Sequence, residues 1–193
     1  MSEDWESNWK NYKGPNFFGL YRLNSLVKKI RSKIKLPCYL IDIGIGPGDL
    51  SALLKGEGYA QLGIDSSTES IKICSNRGLN AEIGDAFKIK YENESFDMSL
   101  SDGLIEHFES DLDKKKLLAE HIRVSKKYIV VSLPSTSITN TLYRWLKPYD
   151  VDEYRVPFRK FKKLCNEFPN VKIIKSGHYN LRLSYYVILE RIY

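Results

Sequence analysis

The stretch Leu40-Ile41-Asp42-Ile43-Gly44-Ile45-Gly46-Pro47-Gly48-Asp49-Leu50 constrains the fold more than any other part of the chain. A short apolar run, 39–43, ends in three glycines at alternate positions and passes into a helix-forming segment, 49–55. That order predicts a buried strand, a tight loop and a helix. Glycines suit such a loop because it must adopt positive φ or let a ligand lie against bare backbone. Two common phosphate-binding loops do not fit. The dinucleotide-binding fingerprint needs a third glycine three positions after the second, opening the helix. A P-loop ends in Gly-Lys-Ser/Thr, whereas Gly48 is followed by Asp49, so no basic group is available for a phosphate.

A second apolar run, 59–65, ends in Asp65, which lies 65 − 42 = 23 residues after Asp42. A strand–helix–strand unit imposes about that separation. The pattern D-x-G-x-G-x-G after a strand, with an acid ending the next strand, resembles the first motifs of class I S-adenosylmethionine-dependent methyltransferases. The resemblance covers about residues 38–134 and implies an α/β fold with a doubly wound, mostly parallel seven-stranded sheet. Two apolar segments, 171–176 and 183–192, joined through Gly177-His178-Tyr179-Asn180, supply the expected C-terminal antiparallel hairpin. The implied cofactor is S-adenosyl-L-methionine. Asp42, Gly44, Ile45, Gly46 and Gly48 are expected at its methionine end, and Asp65 with Ser66 at its ribose. Gly84-Asp85-Ala86 follows a third predicted strand, 79–83, and resembles the family's adenine-binding turn; an ordinary Asx turn is the alternative for Asp85. Asp102 and Gly103 end the fourth predicted strand, 95–102, and complete the expected set, because ligands bind beyond the carboxyl ends of strands where their order reverses.

The run Ser101-Asp102-Gly103-Leu104-Ile105-Glu106-His107-Phe108 resembles the small-molecule branch that includes ubiquinone-biosynthesis enzymes. It lacks the Asn/Asp-Pro-Pro-Tyr/Phe box of enzymes that methylate amino groups of nucleic-acid bases. A small-molecule acceptor is therefore expected, with a tRNA or other nucleic-acid methyltransferase and a non-catalytic cofactor-binding partner protein as alternatives. His107 is the candidate general base, because imidazole is the side chain suited to proton transfer near neutral pH and this one has a place beside the crevice. A helix-capping or core histidine is the other reading, and Asp102 and Glu106 stand behind it as bases.

At 193 residues the chain fits one domain, and no apolar run approaches the roughly 20 residues of a membrane-spanning helix. The N-terminus lacks the basic and apolar regions of a signal peptide, so a cytoplasmic protein is expected. Cys38, Cys74 and Cys165 are widely spaced and predict buried thiols, with no metal site. Lys plus Arg number 30 against 24 acids, a net charge of +6 that fits either a Lys-rich surface or an anionic partner. Basic residues gather at 28–35 and 159–163. Trp5, Trp9 and Tyr12 share a helical face, making residues 1–36 a candidate lid region, with a simple hydrophobic staple onto the domain as the alternative for the first helix. Residues 135–157 interrupt the strand–helix alternation and are expected to cap the acceptor pocket. There, Tyr143, Arg144, Trp145 and Tyr149 form a substrate wall, or else Leu142, Trp145 and Leu146 pack a surface helix. Helices are further predicted over 17–35, 69–76, 112–124 and 158–168, with a turn at Lys126-Lys127 leading into a strand at 128–133.

Overall fold

A computed structural model describes residues 5–10, 12–146 and 154–193. Among them one sheet contains β1 (Tyr39–Ile43), β2 (Ala60–Asp65), β3 (Ala81–Ile83), β4 (Phe96–Asp102), β5 (Ser125–Pro134), β6 (Val171–Tyr179) and β7 (Ser184–Arg191). Their order is β3-β2-β1-β4-β5-β7-β6. The first five strands pair in parallel, and β7 runs antiparallel to both β5 and β6. Strand order reverses between β1 and β4, which opens a crevice above their carboxyl ends. The helices are α1 (Trp5–Lys10), α2 (Phe17–Arg31), α3 (Asp49–Gly56), α4 (Thr68–Asn76), α5 (Asp111–Val124), α6 (Ile138–Leu146) and α7 (Phe158–Cys165).

Alternate strand residues feed two apolar layers, which is why the central strands are near-continuous hydrophobic runs. On one face Ile41, Ile43, Ile129, Val131 and Leu189 meet Leu117, Leu118 and Ile122 of α5 and Phe161 and Leu164 of α7. On the other, Leu40, Leu100, Val130 and Ile188 meet Leu23, Leu26, Val27 and Ile30 of α2 and Leu50 and Leu54 of α3. Side-chain caps set several helix starts: the Asn16 side chain accepts from Gly19 N at 2.8 Å, and the Ser67 hydroxyl from Ser70 N at 3.2 Å.

Three local expectations are corrected. No turn forms at Lys126-Lys127, because β5 begins at Ser125 directly after α5. Ser125 Oγ donates to His121 O at 2.7 Å, closing the helix, while Ser125 already pairs with Phe96 of β4. The hairpin turn lies at 180–183 rather than at Gly177-His178-Tyr179-Asn180. Gly177, His178 and Tyr179 stay in register with Tyr186, Tyr185 and Ser184, so aromatic cross-strand packing outweighs the turn preference of Gly177. A 3-10 turn, Ile105–His107, occupies a segment for which no element was expected. In the 135–157 stretch, α6 leaves Ile138, Leu142 and Trp145 exposed, so Leu142 and Trp145 do not pack it down. Residues 147–153, with Tyr149 among them, and the side chains of Trp5, Tyr143, Arg144 and Leu146 lie outside the described residues. Cys38, Cys74 and Cys165 are buried free thiols.

Phe161 is completely buried and joins α7 to Tyr185 on the hairpin. Phe161→Ala is expected to lower the unfolding free energy by about 3–5 kcal/mol, measured by denaturant titration. A loss under about 1 kcal/mol would show that α7 does not clamp the hairpin.

Candidate cofactor site

The loop from β1 to α3 is held from below by the backbone: Gly44 N and Ile45 N both donate to Ile64 O, at 2.9 and 3.0 Å. Gly46 has φ +53°, and a Cβ there would lie 3.3 Å from the Trp9 ring. Gly48 has φ +77° and is the cap of α3; a Cβ there would come within 2.4 Å of the Leu79 side chain. Both positions therefore demand glycine. Ile45 turns the other way, into a small cluster with Cys74 and Leu79. Two side chains lie against the loop's glycines, Trp9 over Gly46 and Leu104 against Gly44.

Asp65, at the end of β2, accepts from Gly46 N at 2.8 Å and from Ser67 N at 2.9 Å, tying the glycine loop to the start of α4. Burial raises its pKa, and those amide bonds partly oppose the rise. Asp42 is fully buried within β1 and accepts from Ser51 Oγ at 2.7 Å. Burial pushes its carboxyl up to about 7; the Ser51 bond works against the shift, and the nearby charges of Asp102 and Asp65 add to it. Asp85 accepts from Phe87 N at 2.8 Å, so the Asx turn is present, and both Asp85 and Ala86 also face the cavity.

Arg22 carries a part of the site that the sequence reading did not include. From α2 its guanidinium makes a two-pronged pair with Asp102, Nη1 to Oδ1 and Nη2 to Oδ2, each at 2.7 Å. Ser132 Oγ donates to Asp102 Oδ1 at 2.7 Å, and the Tyr179 hydroxyl lies 2.6 Å from Ser132 Oγ and 3.2 Å from Arg22 Nη1. A carboxylate only accepts, so the directions are fixed: Ser132 donates to Asp102, Tyr179 donates to Ser132, and Arg22 donates to Tyr179. Burial alone raises the Asp102 pKa, but the guanidinium outweighs it and holds the carboxyl below its ordinary value. An amphipathic-helix pattern gives no hint of a pairing 80 residues distant.

The N-terminal segment closes one side. Glu6 on α1 accepts from Thr68 N at 2.6 Å and Glu69 N at 3.0 Å, at the start of α4. Tyr12 OH donates to Asp49, and Trp9 covers Gly46. On the far side, Leu104, His107 and Phe108 line the wall, with Phe108 edge-on to Phe87 at 4.8 Å. The cavity these groups enclose measures about 1100 Å³. Of the residues expected at the cofactor, Asp42, Gly44, Ile45, Gly46, Asp65, Ser66, Asp85, Ala86, Asp102 and Gly103 all border it, as does His107. Gly48 stands just outside, in its capping role. Among the described residues no cluster of His, Cys, Asp or Glu is arranged to hold a metal ion.

This donor set fits S-adenosylmethionine. A side chain at Gly46 would run into Trp9, which borders the cavity, and the lining offers carboxylate acceptors in Asp42, Asp65 and Asp102 and a cation in Arg22. Residues 41–130 match a family model described as a methyltransferase domain. The chain is 31% identical over 144 residues to norajmaline N-methyltransferase of Rauvolfia serpentina, covering 68% of this chain and 46% of that protein. It is 29% identical over 110 residues to tRNA (carboxymethyluridine(34)-5-O)-methyltransferase of Arabidopsis thaliana, covering 55% of this chain and 27% of that one. The chain thus spans less than half the length of either curated relative. Its fold matches magnesium protoporphyrin IX methyltransferase from Synechocystis PCC 6803 with bound SAH, at a TM-score of 0.77 and 15% identity over 98% of this chain and 94% of the other. Glycine loop, strand order and family match agree: residues 41–130 carry a methyltransferase domain, in the fold and with the motifs of the class I S-adenosylmethionine-dependent enzymes.

Proposed function

We propose that the protein transfers the methyl group of S-adenosylmethionine to a small-molecule acceptor in the cytoplasm. The observation that carries this reading is the size and lining of the cavity at the β1/β4 crevice. Pockets for a single drug-sized ligand run from roughly 300 to 1,000 Å³, so about 1100 Å³ leaves room for an acceptor beside the cofactor. The two curated relatives are named for different acceptors, an alkaloid and a tRNA base, so the choice of a small molecule rests on the size of the cavity and on the segment 101–108. Buried thiols with no disulfide fit a reducing compartment.

In this reading the backbone of Gly44 and Gly46 and the carboxylates of Asp42 and Asp102 receive the cofactor's methionine end, and Arg22 receives its carboxylate. Asp65 and Ser66 hold the ribose, and Asp85 and Ala86 hold the adenine. When bound, the cofactor supplies a methyl group on a sulfonium, open to in-line displacement. The protein's share is placement: Leu104 and Phe108 exclude water, and His107 takes the proton of an oxygen or carbon nucleophile. The α1 segment acts as a lid, held down by Glu6 and Tyr12.

Asp65→Ala is expected to weaken binding of S-adenosylhomocysteine roughly ten- to hundredfold, the worth of a hydrogen bond to a charged group. Calorimetry reads this directly, with circular dichroism confirming the fold; unchanged affinity would remove Asp65 from the site.

Asp42 generates a pH dependence. Its folded pKa of about 7 exceeds the ordinary 3.8, so between those values the folded state holds a proton that the unfolded chain has released. Stability from this group is therefore full below pH 4 and is lost as pH rises through 7. Asp42→Asn escapes that loss, on the order of 2–4 kcal/mol. Its thermal midpoint should exceed that of the wild type by several degrees at pH 8 and match it near pH 4, while affinity for S-adenosylmethionine falls. An equal difference at both pH values would contradict the assignment.

A further inference from the structure

The basic segments at 28–35 and 159–163 take no part in the cofactor cleft, yet the fold carries both to one edge of the sheet. β6 is the last strand in the order. The end of α2 lies on one face of it, where Ile174 joins the α2 layer, and α7 on the other, where Ile173 joins the α7 layer. Along β6 and the end of α7 lies an open groove of about 650 Å³ whose lining includes Lys162, Asn166, Phe168, Lys172, Lys175 and Ser176, and no carboxylate. Lys175 Nζ donates to Ser32 Oγ at 2.6 Å, which links the groove to the end of α2. Burial, and then the repulsion of Lys29 and Lys33, lower the Lys175 pKa, so these cations crowd one another. Arg31 and Lys172 have acidic partners in Glu57 and Glu190. Among the described residues Lys28, Lys29, Lys33, Lys162 and Lys175 have none within 4 Å.

We propose that this edge groove is a docking surface for single-stranded RNA, with Lys29, Lys33, Lys162 and Lys175 meeting successive phosphates. Lysines on an edge strand often serve only to block pairing with another strand. That accounts for Lys172 and Lys175, but not for Lys29 on α2, Lys33 just beyond it, Lys162 on α7, or the missing acids. A β-strand partner fits poorly, since a register shift between Ile173 and Lys175 breaks the edge. A membrane fits poorly too. The exposed apolar residues of α2, Phe17, Phe18, Leu20 and Tyr21, sit at its opposite end, roughly 20 Å away at 1.5 Å per residue. Phe168 borders the groove and offers a ring for an unstacked base, the usual mode for single-stranded RNA, which a fully stacked duplex could not use. The surface lies apart from the cofactor cleft, so the proposal holds whatever the methyl acceptor is.

The test is fluorescence anisotropy of the full chain with a labelled twelve-nucleotide oligouridylate, titrated from 50 to 200 mM salt. The wild type should bind at 50 mM and weaken steeply with salt. The triple variant Lys29→Ala, Lys33→Ala, Lys175→Ala should bind at least tenfold more weakly, with a log–log salt slope shallower by about 2, from about 0.7 per lost phosphate contact. Lys162→Glu should weaken binding independently, and S-adenosylhomocysteine affinity should stay at the wild-type value in both variants, separating this surface from the cofactor site. The proposal is overturned by no binding at 50 mM, by equal affinity of wild type and triple variant, by polyglutamate competing as well as the RNA at equal charge, or by preference for DNA of the same sequence or for anionic vesicles.

Discussion

The pair between Arg22 and Asp102 holds the functional half of the molecule together. Asp102 ends β4 at the point where strand order reverses, and burying a carboxylate there is costly unless a cation meets it with good geometry. Both prongs are at 2.7 Å, and Ser132 supplies a further donor. The network joins α2, β4, β5 and β6, so the N-terminal helix, the central sheet and the C-terminal hairpin share one set of hydrogen bonds. Removing either charge leaves the other half-buried at the cavity wall without its partner. The position of α2, and with it one wall of the cavity, is thereby fixed.

The charge of the protein is divided rather than uniform. The net charge is +6, but Asp42, Asp65, Asp85 and Asp102 all border the cavity, which holds Arg22 as its internal counterion. An acidic hollow favours a ligand bearing an ammonium and a sulfonium. The excess cations gather at the far end of α2 and along β6, where Glu57 and Glu190 meet Arg31 and Lys172 but Lys28, Lys29 and Lys175 have no acidic partner among the described residues. A single helix thus carries an arginine committed to the cleft at one end and free lysines at the other.

What was legible in the sequence was what is local in the chain. The glycine loop, the strand before it and the acid 23 residues on occupy one strand–helix–strand unit, so their spacing alone places them together. Ten of the eleven residues expected around the cofactor line one cavity, and Gly48, though part of the loop, serves α3 instead. Arg22, Ser132 and Tyr179 were invisible because their meeting depends on the sheet's order, which no short window encodes. Local preference also misled: Gly177 resembles a turn residue, but the tyrosines opposite it keep the strand going to Tyr179. That extension is what delivers the Tyr179 hydroxyl to Arg22.

Glu6 deserves a last consequence. Its carboxylate satisfies amides of Thr68 and Glu69 that the end of α4 would otherwise leave to solvent, and it does so from α1, outside the sheet altogether. A recombinant form trimmed to the compact sheet-bearing portion would keep the strands yet lose Trp9 above Gly46. Its nucleoside chamber would then stand open along one flank, and exchange rates recorded on it would describe a differently shaped vessel.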